Sequence, residues 1–180
     1  MDQGKIFTVG HSTRSLEELL ELLRREGVRR VVDVRAFPAS KRYPHFSKEN
    51  LEAALPTSSI RYAHFPELGG RRTVRPDSPN VLWRNSGFRA YADYMETPEF
   101  SAAIDRLLTD AAGETTAMMC AEAVHWRCHR TLIADAVEAR GVQVFHILGS
   151  STPRHTLTSF ARIEGSRVRY DAPHQAEFFT

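Results

Sequence analysis

The chain has 180 residues, 42% of them hydrophobic and 26% charged, with a formal net charge of +2. That balance excludes a disordered or fibrous chain and allows one well-buried core, so residues 1–180 are expected to form a single α/β domain. The expected division is a main sheet with its helices over 1–149 and a C-terminal hairpin appendage over 150–180.

No run of about 18 apolar residues is present, so no membrane partner is expected. The opening "MDQGKIFTVG" lacks the basic start and apolar centre of a signal peptide. Two cysteines without such a signal point to free thiols in a reducing, cytoplasmic setting. Lysine occurs only at positions 5, 41 and 48, so arginine supplies most of the 24 basic residues. Arginine suits bidentate pairing with phosphate or carboxylate, and a GC-rich genome produces the same bias.

In chain order, Ile6 to Gly10 reads as a strand. Ser15 and Glu18 form a capping box for a helix that lines up Leu16, Leu19, Leu20 and Leu23 and stops at Gly27. Val31 to Arg35 reads as a second, buried strand. Ser47 caps a helix over Lys48 to Leu55 that Pro56 ends, and "IRYAHF" from Ile60 returns to extended structure. A polar loop from Pro66 to about Ser86 carries arginines at 71, 72, 75 and 84, and its length suits a lid or binding loop. Gly87 to Met95 is a short helix, and Thr97 and Pro98 open a longer one that ends at Gly113. Thr116 to Cys120 is a strand, Trp126 to Arg140 a helix, and Val142 to Leu148 a fifth strand. The stretch "TLTSFARIEGSRVRYD" gives two strands around a Gly165-Ser166 turn. Alternation of strand and helix predicts a mostly parallel open sheet of about five strands with helices on both faces.

Ligands of such sheets gather beyond the carboxyl ends of the strands. The residues expected there are Gly10, His11, Ser12 and Thr13 after the first strand, and Asp33 and Arg35 with Lys41 after the second. Tyr62 and His64 lie on the third strand, and Cys120 with Glu122 ends the fourth. Structural roles stay open for several of them: Ser12 and Thr13 as cap residues, Arg35 as a partner of Asp33, His64 as a packed histidine.

The segment "MMCAEAVHWRCHR" (118–130) holds both cysteines. A thiol at the end of a strand and before a helix faces free backbone N–H groups, and nearby Arg127, Arg130 and Arg35 are expected to lower its pKa, which makes Cys120 the candidate nucleophile. Along the helix from Trp126, Cys128 and His129 point at the sheet, so Cys128 reads as a core or resolving thiol and His129 as a base or orienting group for Cys120 or Glu122, or as a residue that simply holds a loop carbonyl. Arg130 anchors an anion or braces Glu122. A zinc site built from Cys120, Cys128, His129 and His11 is disfavoured, because adjacent residues on a helix lie about 100° apart. Neither metal nor cofactor is expected.

Five motifs together, "TVGHS" (8–12), "VVDVRAFPASKRYPHF" (31–46), "LGG" (68–70), "GFRAYADYM" (87–95) and "CAEAVHWRCHRTLIADA" (120–136), resemble the DUF488 family. The family often carries proline where this chain has His125. The resemblance implies no reaction, but its motifs contain Gly10, His11, Ser12, Arg35, Cys120, Glu122, Cys128, His129 and Arg130.

The reading that follows is an enzyme, a thiol-dependent hydrolase or transferase, acting on an anionic small molecule or nucleic acid. In it Cys120 is the nucleophile, Glu122, His129 and His11 are catalytic partners, and Gly10, Ser12, Arg35, Lys41 and Arg130 bind substrate. A non-catalytic nucleic-acid or partner module is the alternative, supported by "KRYPHF" and by the arginine-rich loop with Trp83. A metal-binding or redox protein is the third. The sequence fixes no oligomeric state.

Overall fold

A computed structural model describes residues 4–172; the ends of the expected appendage (173–180) and of the opening segment (1–3) lie outside the described residues. Its centre is a parallel sheet of β1 (Lys5–Gly10), β2 (Arg30–Asp33), β3 (Arg61–His64), β4 (Thr116–Cys120) and β5 (Gln143–Ile147), in the order β3-β2-β4-β1-β5. The helices are α1 (Leu16–Arg25), α2 (Lys48–Thr57), α3 (Ser86–Tyr94), α4 (Pro98–Gly113) and α5 (Arg130–Glu138).

Period-two alternation in the strands divides the core into two halves. Phe7, Val9, Val31, Ala117 and Met119 point to the side where Leu19, Leu20 and Leu23 of α1 and Leu51 and Leu55 of α2 pack. Ile6, Val32, Val34 and Met118 point to the other side, against α3, α4 and α5. Both faces of the sheet are therefore dry, as the unbroken burial of β4 requires.

The chain winds outward through β2 and β3 on one side of β1 and returns through β4 to β5. Adjacent β1 and β4 therefore send their exits to opposite faces, β1 into α1 and β4 towards α5. A crevice opens between such exits. The backbone pairing continues past both strand ends, with His11 N–H donating to Cys120 O at 2.9 Å and Ser12 N–H to Ala121 O at 2.9 Å. That holds the two exits side by side.

Local rules explain most boundaries. Ser15 and Glu18 make both bonds of the capping box, and Gly27 adopts φ +67 to leave the helix. Ser47, Asn85 and Thr97 each accept a backbone N–H at the start of α2, α3 and α4. The expected stop before Pro56 is corrected: α2 runs to Thr57 with Pro56 in its last turn. The predicted long helix from Trp126 is also corrected. A 3₁₀ turn covers His125–Arg127, Cys128 is extended at φ −134 and ψ 147, and α5 begins only at Arg130. A short antiparallel pair, β6 (Arg162–Glu164) and β7 (Arg167–Arg169), forms the expected hairpin, with Gly165 at φ +62 in its turn. No described helix is long and apolar enough to cross a membrane.

Candidate active site

The break before α5 sets the chemistry. Because Cys128 is extended rather than helical, its side chain and that of His129 converge instead of diverging: Cys128 Sγ and His129 Nδ1 lie 3.6 Å apart. His129 Nε2–H donates to Val34 O at 2.8 Å, which leaves Nδ1 facing the sulfur. Gly70 closes over this ring, since a Cβ there would come within 3.2 Å of Nδ1.

Arg130 approaches the same sulfur from behind. Its Nε–H donates to Cys128 Sγ at 3.5 Å, Nη1–H to Thr8 Oγ1 at 3.2 Å and Nη2–H to Glu122 O at 2.5 Å. The side chain is completely buried, and among the described residues no carboxylate pairs with it. A buried guanidinium without a counter-charge is expensive. The nearest group able to supply one is the Cys128 thiolate.

Cys120 completes the arrangement. Its sulfur lies within 4.8 Å of Cys128 Sγ, and this neighbour together with burial pushes Cys120 well above the ordinary thiol range. The same proximity, helped by His129 and Arg130 against the cost of burial, pulls Cys128 well below it. The expectation of a lowered Cys120 pKa is thus corrected: the neighbouring Cys128 sulfur and burial raise it, against the lowering effect of Arg130. Cys128 is the favoured thiolate.

The geometric objection to a metal also falls. The ligand atoms of Cys120, Cys128 and His129 all lie within 4.8 Å of one another, so these three could hold a soft cation, with His129 already oriented by Val34 O. His11 is not part of that group. A second cluster, His125, His146 and His155, is spent on itself. His146 bonds Thr8 and His155 through its two ring nitrogens, and His155 bonds His146 and Asp135. His125 stacks flat on His146 at 3.4 Å and bonds Thr131. Sequence reasoning passed over this cluster, whose members come from three separate segments.

The remaining predicted residues divide by location. Arg35, Cys120, Glu122, Cys128 and His129 line one cavity of about 390 Å³, together with Ala36, Phe37, Gly70, Arg71, Phe88, Tyr91 and Arg127. Arg35 is largely neutralised: Nε and Nη2 clasp Asp33 at 2.8 and 2.6 Å, Nη2 also reaches Phe46 O, and Tyr62 donates to the same carboxylate at 2.6 Å. His11 is a support residue in the present geometry. Its Nδ1–H donates to Ser12 O at 3.0 Å, Nε2 accepts from Arg35 Nη1 at 3.2 Å, and burial pushes its pKa down to about 4. Its ring also stacks on Phe46.

Gly10 sits where a Cβ would come within 1.7 Å of Glu122 O, so it permits the β1 and β4 exits to touch. Ser12, at φ 49, turns the chain between β1 and α1. Arg130 lies behind the cysteine rather than on the cavity wall, Lys41 is exposed, and neither borders the cavity with the residues above. Glu122 is exposed at the cavity edge with no side-chain partner among the described residues. Sequence reasoning missed Phe37 and Phe88 as cavity residues, whereas Arg71 belongs to the loop expected to act as a lid or binding loop.

Trp83, expected as a stacking platform, is instead packed edge-to-face against Phe88, Phe160 and Tyr170. In "KRYPHF", Phe46 is fully buried.

Fold and cavity together define an α/β protein with paired thiols at the crevice between β1 and β4. Residues 15–137 match the family described as domain of unknown function DUF488, and the chain belongs to that family. No curated protein and no solved structure matches it.

Proposed function

We propose that the protein is a thiol-dependent hydrolase or transferase acting on an anionic substrate, with Cys128 rather than Cys120 as the nucleophile. The observation that carries this reading is the buried Arg130, whose Nε–H faces Cys128 Sγ and which has no carboxylate partner among the described residues. A cation so placed makes the thiolate the stable form of the sulfur, and the thiolate is the reactive form.

In the proposed reaction the Cys128 sulfur attacks an acyl carbon or a phosphorus, forms a covalent bond to it and displaces the leaving group. Glu122, at the cavity edge, protonates the departing oxygen. It then takes a proton from water, which cleaves the bond to sulfur and restores the thiolate. Cys120 donates its hydrogen bond to the resting thiolate, and Arg130 Nε–H donates to the same sulfur.

The test uses chromogenic 4-nitrophenyl phosphate and 4-nitrophenyl hemisuccinate. Wild type and Cys120→Ser release nitrophenolate, and Cys128→Ala and Glu122→Gln release little. Mass spectrometry finds the adduct on residue 128. Undiminished turnover of both reagents by a folded Cys128→Ala variant contradicts the reading.

A further inference from the structure

We infer that the cavity selects a small molecule combining a flat unsaturated ring with one anionic group, in which Arg71 and Arg127 hold the anion and Phe37 and Phe88 hold the ring. The inference rests on the reading of this cavity as the substrate site and adds the identity of its recognition elements.

Most arginines near the cavity are already committed. Arg35 is bound to Asp33 and Arg130 to the thiol and two oxygens. Arg72 donates to Gly69 O and Glu67 O and stacks 3.5 Å from the Tyr94 ring, while Arg75 reaches Glu96 and Arg89 reaches Trp83 O. Arg71 and Arg127 differ. Both line the cavity and both are exposed, and among the described residues neither guanidinium has a hydrogen-bond or ion-pair partner. Even with Glu122 on the same rim, two free cations leave the mouth positive.

Arg71 is also held in an unusual backbone state. Its φ is 62, in the left-handed region that a non-glycine residue seldom enters, directly after Gly69 and Gly70. Such local strain is typical of residues that a site needs in one orientation. Gly70 must lie against His129, so the next residue is the first able to put a side chain over the opening.

The apolar half of the pattern is Phe37, 72% exposed, with the Arg71 guanidinium 5.7 Å from its ring centre. A bare aromatic beside a free arginine, lining a cavity of about 390 Å³ together with Phe88 and Tyr91, provides a surface for one ring and a clamp for one charge. A polymer would need a series of such stations. Trp83 is withdrawn into packing and Phe46 is buried, so the basic aromatic stretches lack them.

The experiment measures binding by isothermal calorimetry with the Cys128→Ala variant, which cannot turn over. The probes are phenyl phosphate, phenylacetate, inorganic phosphate, phenol and a twelve-residue thymidine oligonucleotide. One of the two aromatic anions binds at least tenfold more tightly than phosphate or phenol, and which one it is distinguishes a phosphate from a carboxylate. Adding Arg71→Ala or Arg127→Ala weakens that probe at least tenfold, whereas Phe37→Ala weakens it without changing phosphate binding. All three side chains are exposed, so these variants keep the fold. Equal binding of aromatic anion and bare phosphate, indifference to both arginine substitutions, or tighter binding of the oligonucleotide overturns the inference. None of these results bears on the reactivity of Cys128, which the turnover and labelling experiments address separately.

Discussion

Replacing Arg130 with Met removes the guanidinium that contacts Cys128 Sγ while keeping a long apolar stem. In the structure this deletes a charge-assisted bond at 3.5 Å from a sulfur that is only 3% exposed. A hydrogen bond to a charged group contributes about 1.5–3 kcal/mol net. At about 1.4 kcal/mol per pKa unit, the Cys128 thiol should rise by about one to two units. Glu122 O and Thr8 Oγ1 lose a donor as well, so the variant should also be less stable, by about 2–4 kcal/mol. The assay is the rate of carbamidomethylation of residue 128 against pH, read by peptide mass spectrometry after circular dichroism has verified the fold. An unshifted labelling profile in a folded Arg130→Met protein refutes the assignment of Arg130 as counter-ion.

The two sulfurs should respond reciprocally. Cys120→Ala deprives the thiolate of its donor and should raise the Cys128 labelling pKa, whereas Cys128→Ala should bring Cys120 down towards an ordinary thiol; absence of both shifts would show that the pair does not share a proton. Gly10→Ala drives a Cβ into Glu122 O and should lower the unfolding free energy by about 2 kcal/mol or more in a urea titration, so an unchanged midpoint would mean the two exits do not touch as described. Asp33→Asn strips the charge partner from a guanidinium only 7% exposed and should cost about 3–5 kcal/mol, with a loss below 1 kcal/mol contradicting the pairing. Burial holds His11 and His125 near 4 and His146 near 2, below the usual 6.5, so the unfolded chain takes up protons first. Stability should therefore be complete above pH 6.5 and decline as pH falls towards 4; urea midpoints at pH 7, 6 and 5 check it, and a flat series contradicts it.

Much of this architecture was legible because each helix start carries its own cap and each strand its own run of apolar residues. Ser15, Ser47 and Thr97 marked three starts, and β4 was bounded as read, Thr116–Cys120. The strand-end rule gathers Cys120, Glu122 and Arg35, and these three do line one cavity. The contacts that each side chain makes there were not legible. Treating 126–140 as one helix fixed Cys128 and His129 on diverging directions, and no local propensity announces the extended Cys128 that separates the 3₁₀ turn from α5. The proposed exchange of roles between the thiols depends on which sulfur Arg130 contacts, a tertiary fact. The partnership of Asp33 with Arg35 was named as a possibility and is what the structure contains. Arg71 was named only as one of several loop arginines, because what sets it apart is a backbone angle and the lack of a partner among the described residues.

The most direct measurement is site-resolved iodoacetamide labelling of the unmodified protein from pH 4 to 10, following both cysteine peptides at once. Residue 128 should react with a thiolate profile already developed below neutrality, while residue 120 stays protected until well above its ordinary range. If residue 120 labels first, or if both titrate together near 8.5 as free thiols do, the buried guanidinium does not create a thiolate and the proposed chemistry fails with it.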